Sequence, residues 1–297
     1  MPQKFNPKIL KIIIFSVAGL LLINLVILGY WLILTQNNFN SLRVVFFDVG
    51  QGDSALIQTP EGKNILIDGG PNKNVIYKLD KYIPITRRKI DLIILTHPDP
   101  DHLIGLVEVL HRWPVDQIVT NNTEETDSLY FEWKKLIQEK NITPVIVSEQ
   151  RKIWLNDKIY LDFLWPIQEL AGQFNKDDNN PNSLVFKLVN NQNKILFTGD
   201  ATSEIEKILL DNNYDLQSQV LKIGHHGSKY SSDLNFLEKI SPIYGVISVG
   251  QNNKFGHPSL RVLTNLEEVG AKTLRTDQNG DIIFIDKNGK LVLKTEK

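Results

Sequence analysis

Three kinds of apolar run organise this chain. The first is 23 residues long, Ile12 to Leu34, and contains no Lys, Arg, Asp or Glu. The second kind is short, continuous and rich in β-branched residues, such as IDLIIL (Ile90 to Leu95), and each example stops at a cluster of Gly, Pro, Asp or His. Runs of that kind read as buried strands. The third kind repeats apolar positions at helical spacing. It predicts helices in LIGLVEVLHR after His102, and over Asp127 to Lys140, Ser203 to Asp211, Asp233 to Ile240 and Ser259 to Val269. Further strands are predicted at Gln117 to Thr120, Val145 to Val147, Lys158 to Leu164, Gly245 to Val249 and Thr273 to Arg275. KILF and QVLKI end two more, and DIIFIDKNGKLVL reads as a closing hairpin, because Asn-Gly is a strong two-residue turn signal.

A helix of 23 residues reaches about 35 Å, enough to cross hydrocarbon. Residues 12–34 are therefore expected to span a membrane. Lys4, Lys8 and Lys11 precede the run and no Lys or Arg follows until Arg43, so residues 1–11 are expected in the cytoplasm and everything beyond the 35–42 linker outside. A cleaved signal peptide would have a shorter apolar core and a small-residue cleavage site, where this chain has GYWLILTQNN. Residues 43–297 show no composition break or repeat and fit one domain. The chain has no cysteine, which removes disulfides and thiolate metal ligands. Net charge is −1, and −4 without the three N-terminal lysines, so no bulk basic field recruits nucleic acid.

The chemistry concentrates in THPDPDHLIGL (Thr96 to Leu106), where two histidines and two aspartates leave one turn that Pro98 and Pro100 stiffen by fixing φ. His97 and Asp99 can face one ion, with Asp101 and His102 facing a second at the helix start. Mixed imidazole and carboxylate ligands suit zinc, manganese or iron. The plain alternative is an ordinary turn, since His-Pro and Asp-Pro pairs also make those. Asp200 ends KILFTGDA and is equally placed to be the N-cap of the following helix. His225 and His226 end QVLKIGHHGS. Of the six histidines only His111 reads as an ordinary surface residue.

These residues resemble the metallo-β-lactamase superfamily, and more narrowly the hydrolase domain at the end of ComEC competence proteins. The match is carried by FFDVGQGDSALI, NILIDGG, LTHPDPDHLIGL, NNPNSLVFKL, LFTGDA, LKIGHHGS and FGHPS, in the family's order and over nearly everything after residue 43. The resemblance implies an α/β fold, a four-layer αββα sandwich, with a two-metal site between its sheets and zinc or manganese as the ions. It implies that His97 and Asp99 hold the first ion, that Asp101, His102 and His225 hold the second, and that Asp200 bridges them. Asp99 stands where most of the superfamily has histidine. The usual third-motif histidine is missing, with Asn182 and Ser183 in its stretch, so the first ion is expected to have fewer protein ligands. Asp53 and Asp68 are implied to orient ligands from behind, and His226 is a less certain member of that group. Asp48 is given no metal. Asp101 is expected to accept a hydrogen bond from the attacking water as well as to bind metal, and His257 to donate to the phosphate or leaving group from the opposite sheet. Paired ions would lower the pKa of a water between them and stabilise attacking and leaving oxygens.

The expectation is thus a membrane-anchored, outward-facing phosphodiesterase acting on DNA, single-stranded by resemblance, with DNA-uptake machinery as a partner. Ser228, Lys229 and Lys254, with Lys222 and Arg261, flank the His225 and His257 loops and are candidates to line a strand path; scattered surface lysines are the plain alternative. A second enzyme reading is hydrolysis of another extracellular phosphodiester or ester, such as a phosphorylcholine or wall-polymer linkage. A non-catalytic binding module is a third, motivated by the missing histidine. β-Lactam hydrolysis is disfavoured because Asp99 and the missing histidine change the first-ion site.

Overall fold

A computed structural model describes residues 7–36, 41–121, 123–166 and 178–297. It divides into two compact units, residues 1–40 and 41–297. The described residues of the first unit form one helix, α1 (Pro7–Gln36), whose segment Pro7–Trp31 has a mean hydropathy of 2.7 and is long and apolar enough to cross a membrane. The helix contains all of residues 12–34 and begins earlier.

The second unit alternates strands and helices. In chain order these are β1 (Arg43–Phe46), β2 (Ala55–Gln58), β3 (Asn64–Ile67), α2 (Asn74–Tyr82), β4 (Ile90–Leu95), α3 (Pro100–Arg112), β5 (Val115–Thr120), α4 (Ser128–Glu139) and β6 (Val145–Ile146). There follow β7 (Arg151–Trp154), β8 (Ile159–Trp165), β9 (Val185–Asn190), β10 (Asn193–Phe197), α5 (Ser203–Asp211), β11 (Val220–Lys222), α6 (Leu234–Ile240), β12 (Tyr244–Ile247), α7 (Leu260–Glu268), β13 (Lys272–Arg275) and a short α8 (Thr276–Asn279). The hairpin β14 (Ile282–Lys287) and β15 (Lys290–Thr295) closes the chain.

One sheet has the order β15-β14-β1-β2-β3-β4-β5-β6 and the other β13-β12-β11-β10-β9-β8-β7. Strands β3 to β6 run parallel, as do β10 to β13. Strand alternation explains the layering. In β4, Leu92 and Ile94 point into the core shared by the two sheets, whereas Ile93 and Leu95 point at the helices outside. Phe46, Phe186 and Phe197 meet in the shared core, with ring centroids 5.6 and 5.1 Å apart along the row. A second core lies under α2, α3 and α4, and a third under α5, α6 and α7. This is the expected four-layer sandwich. Periodicity alone also admitted a doubly wound sheet. The deciding feature is that β14 returns to pair β1 and β15 pairs β14 at the edge, so the strands form two separate sheets of eight and seven.

Candidate metal centre

The cluster forms at the carboxyl ends of parallel strands, where open α/β sheets hold their ligands. Strand β3 delivers Asp68, β4 delivers Thr96 and His97, the start of α3 delivers Asp101 and His102, β10 leads to Asp200, and β11 leads to His225 and His226. Asp99 sits at the α3 N-cap in extended backbone but does not cap the helix with its side chain. Its Oδ1 instead accepts from Asn179 Nδ2 at 2.9 Å, and its Oδ2 lies 3.6 Å from His97 Nε2. Asn179 lies within the NNPNSLVFKL motif, yet it was not singled out there. Its amide also donates to Glu125 Oε1, at 2.6 Å.

Each buried histidine has one ring nitrogen committed away from the centre. His102 Nδ1 is 2.9 Å from Asp68 Oδ2, His226 Nδ1 is 2.9 Å from the Ser248 carbonyl, and His97 Nδ1 is 3.0 Å from Thr96 Oγ1. Asp68 is itself fixed by the Thr96 amide and hydroxyl, both at 2.8 Å. That arrangement leaves every Nε2 turned inward. Among the described residues, Nε2 of His97, Nε2 of His102 and Oδ1 of Asp200 are buried without a hydrogen-bond partner, and these three residues offer atoms within 4.8 Å of one another. Asp101, His102 and His226 form a second such group. Buried acceptors without donors are costly unless a cation meets them, so the donor set fits divalent metal.

Neighbouring charge dominates the protonation of the cluster, and a divalent cation would replace the protons it draws onto His102 and His226. Burial opposes the charged form of Asp200, yet His226 and His102 hold its pKa well below the usual carboxylate range. Burial alone would lower the His226 pKa, but Asp200 and Asp53 outweigh it and push it up to about 10. His102 is raised in the same way by Asp200 and Asp68. At Asp99 burial is overcome by His97 and Asn179, leaving a pKa of about 2. His257 goes the other way: burial and the charges of His225 and His226 bring it down to about 4.

The expectation put His225 at the second ion and left open which of His225 and His226 binds metal. The structure sets the two side chains in different places. His226 is buried, with Nε2 3.1 Å from Asp101 Oδ2 and 3.4 Å from Asp200 Oδ2. His225 is partly exposed, its Nε2 is 3.8 Å from Asp200 Oδ2, and its ring faces His257 at 5.7 Å. Both residues have left-handed backbone, φ 48° and 53°, which turns two consecutive side chains in different directions. Ser183 Oγ accepts from the Asp200 amide at 3.0 Å, and the Asn182 carbonyl accepts from Asn121 Nδ2 at 2.7 Å, so both shape the site without supplying a side-chain ligand.

Lys222 is also misplaced by its sequence reading. It is buried, and its Nζ pairs with Asp53 at 2.5 Å, while Asp53 Oδ1 is 3.3 Å from His226 Nδ1. It cannot line a strand path. Arg261 is tied to Asp233 and to the Lys229 and Ser231 carbonyls. Asp48 presents its backbone amide to Asp281 and its side chain to Lys297, away from the cluster. His111 pairs with Glu132 on the surface, as expected.

The metallo-beta-lactamase superfamily model matches residues 47–251, which holds the whole cluster. The chain belongs to the metallo-beta-lactamase superfamily. ComE operon protein 3 of Bacillus subtilis is 31% identical over 267 residues, covering 83% of this chain and 33% of that protein. Competence protein ComA of Neisseria gonorrhoeae is 32% identical over 250 residues, covering 82% and 32%. The chain thus spans about a third of the length of these relatives. Among solved structures, a long form RNase Z from yeast superposes with a TM-score of 0.50 at 13% identity, over 82% of this chain and 42% of that one, a likeness of fold. Members of the metallo-beta-lactamase superfamily are usually metal-dependent hydrolases.

Proposed function

We propose that this protein is a membrane-anchored, metal-dependent phosphodiesterase that cleaves DNA, single-stranded by preference, outside the cytoplasm. One observation carries the reading: among the described residues, buried acceptors without a hydrogen-bond partner converge from both sheets with carboxylates in one cluster. His97, Asp99 and Asp200 would hold a first divalent ion, and Asp101, His102, His226 and Asp200 a second, zinc or manganese. Such ions supply Lewis acidity at the phosphate and lower the pKa of a water.

The chain's own groups have separate tasks. Asp101, one-third exposed at its side chain, would help to hold the metal and has oxygen lone pairs to accept a hydrogen bond from a water at the site. His257 is held neutral at pH 7 and keeps one N–H, which can donate a hydrogen bond to a phosphate oxygen. Asp68, Asp53 and Ser248 fix the ring orientation of His102 and His226. Residues 12–34 would span the membrane with 1–11 in the cytoplasm and 43–297 outside, following the lysine bias. The names of the competence relatives favour DNA over a wall-polymer or phosphorylcholine linkage, and DNA-uptake machinery as the partner.

The test is digestion of defined single- and double-stranded DNA by the full chain in detergent, with manganese or zinc and with chelator, beside Asp200→Ala. Metal-dependent cleavage of the single strand that Asp200→Ala abolishes is expected. Turnover of a small aryl phosphodiester with none of DNA would remove the nuclease assignment.

A further inference from the structure

We infer that Tyr230 and Phe255 are stacking platforms that hold unpaired bases of a single-stranded polynucleotide at the rim of the metal centre. The inference rests on the phosphodiesterase reading and names the part of the substrate that reading leaves open.

Exposure is not the argument, since isolated exposed rings are ordinary. Position is. Tyr230 follows His226 by four residues, and Phe255 precedes His257 by two. Their loops are packed together: the Ser259 amide donates to the Gly227 carbonyl at 2.8 Å, and a Cβ on Gly227 would lie 2.6 Å from Pro258 Cβ. The Phe255 ring stacks on His257 at 6.0 Å and 19°, His257 meets His225 at 5.7 Å, and His225 Nε2 is 3.8 Å from Asp200. A row of rings therefore leads from solvent to a carboxylate of the cluster.

Each exposed ring also carries its own cation. Lys229 Nζ lies 4.9 Å from the Tyr230 ring centre and Lys254 Nζ 5.2 Å from that of Phe255. Neither ammonium is in an ion pair among the described residues. Ring beside cation, twice over, complements a strand that repeats a planar base beside a phosphate. It complements a duplex poorly, because stacking inside a helix covers both faces of every base. On a chain of net charge −1, attraction must be local, and these two lysines supply it.

The platforms are pinned at the backbone while the rings stay largely exposed to solvent, and a stacking base would take the place of the flexible lysine end over each ring. The Tyr230 carbonyl accepts from Ser203 N at 2.8 Å and Oγ at 2.9 Å, and the Lys229 carbonyl from Arg261 at 2.7 Å. Asn253 Oδ1 accepts from the Phe255 and His257 amides at 3.2 and 3.1 Å. Tyr230 and Phe255 are 63% and 58% exposed, so a base meets them without displacing core.

The experiment measures binding without turnover. The full chain in detergent with chelator is titrated by fluorescence anisotropy with a short oligothymidylate, its duplex, and an abasic strand of equal length and charge. The oligothymidylate is expected to bind about tenfold or more tighter than the abasic strand. Tyr230→Ala and Phe255→Ala should each weaken oligothymidylate binding by about tenfold and leave abasic binding in place, with Tyr230→Phe close to wild type. Equal affinity for the base-containing and abasic strands, or alanine variants that bind oligothymidylate normally, would overturn the inference and leave phosphate contact as the only recognition. Because no bond is cleaved, failure here leaves the hydrolysis reading standing, and absence of hydrolysis leaves the binding result interpretable.

Discussion

A histidine is a good metal ligand when its second ring nitrogen is committed elsewhere, because that commitment fixes tautomer and orientation. His226 meets the condition through the Ser248 carbonyl, whereas His225 Nδ1 is buried without a partner among the described residues and its ring leans on His257. The two neighbours should therefore separate in metal analysis. His226→Ala is expected to lose about one ion per chain or to weaken binding by about 10–100-fold. His225→Ala is expected to keep its metal content and to alter only the rim facing His257. Metal content by mass spectrometry after dialysis reads both, and loss of metal in His225→Ala with retention in His226→Ala would reverse the assignment. Sequence alone left this pair unresolved for a physical reason. Identity and position are the same for both, and only the left-handed turn decides which ring enters the pocket. Lys222 was opaque on similar grounds, since a lysine in QVLKIG looks solvated until Asp53 is brought from another sheet to meet it at 2.5 Å.

At the scale of elements, α3 has to sit hard against the end of β3 to aim Asp101 and His102. Gly105 makes that approach feasible. A Cβ there would lie 1.9 Å from the Gly69 carbonyl oxygen, while one on Gly69 would lie 2.2 Å from the Leu106 amide nitrogen. The Gly105 amide donates to the Gly70 carbonyl at 3.0 Å, and the Gly69 amide to the His102 carbonyl at 2.7 Å. Gly→Ala inside a helix ordinarily stabilises by about 0.5–1 kcal/mol. Gly105→Ala should instead cost about 1–3 kcal/mol, as overpacking does, and should weaken metal binding by displacing the helix start. Denaturant titration and a metal-binding isotherm on the same variant check both, and a variant more stable than wild type would refute the packing argument. Such contacts set the limit of what was legible beforehand. IDLIIL and Ser203 to Asp211 match β4 and α5 end to end because their periodicity agrees with their burial. Strand β7 was missed because RKIW is largely exposed and shows no alternation, and β9 because Lys187 and Asn190 interrupt a run that is buried throughout. Helix α2 was missed although Val75, Ile76, Leu79 and Tyr82 follow the helical period, since nine residues rich in polar side chains are a weak signal.

For the molecule as a whole, the centre lies where the two sheets meet: His97, Asp99, Asp101 and His102 come from one, Asp200 and His226 from the other. A cation there would clasp layers otherwise held by the apolar core between them and by hydrogen bonds such as Asn190 and Asn193 to Asp286. Binding to the folded state alone stabilises by mass action, about 4 kcal/mol with ion at a thousand times its Kd. For a domain of this size that corresponds to a shift of about 10 °C in Tm. Chelation of metal-loaded protein is expected to lower Tm by that order, and re-addition of manganese or zinc to restore it. Asp200→Ala, which removes the carboxylate common to both proposed ion positions, should show little response to either treatment. His111→Ala should respond as wild type does, because His111 pairs with Glu132 on the outer surface, away from the cluster. The comparison separates an ion seated between the sheets from one bound loosely outside, since a surface ion would leave the Asp200→Ala response intact. A wild-type Tm unmoved by chelator and by added metal would remove the clasp, and with it the physical basis for placing hydrolytic chemistry at this junction.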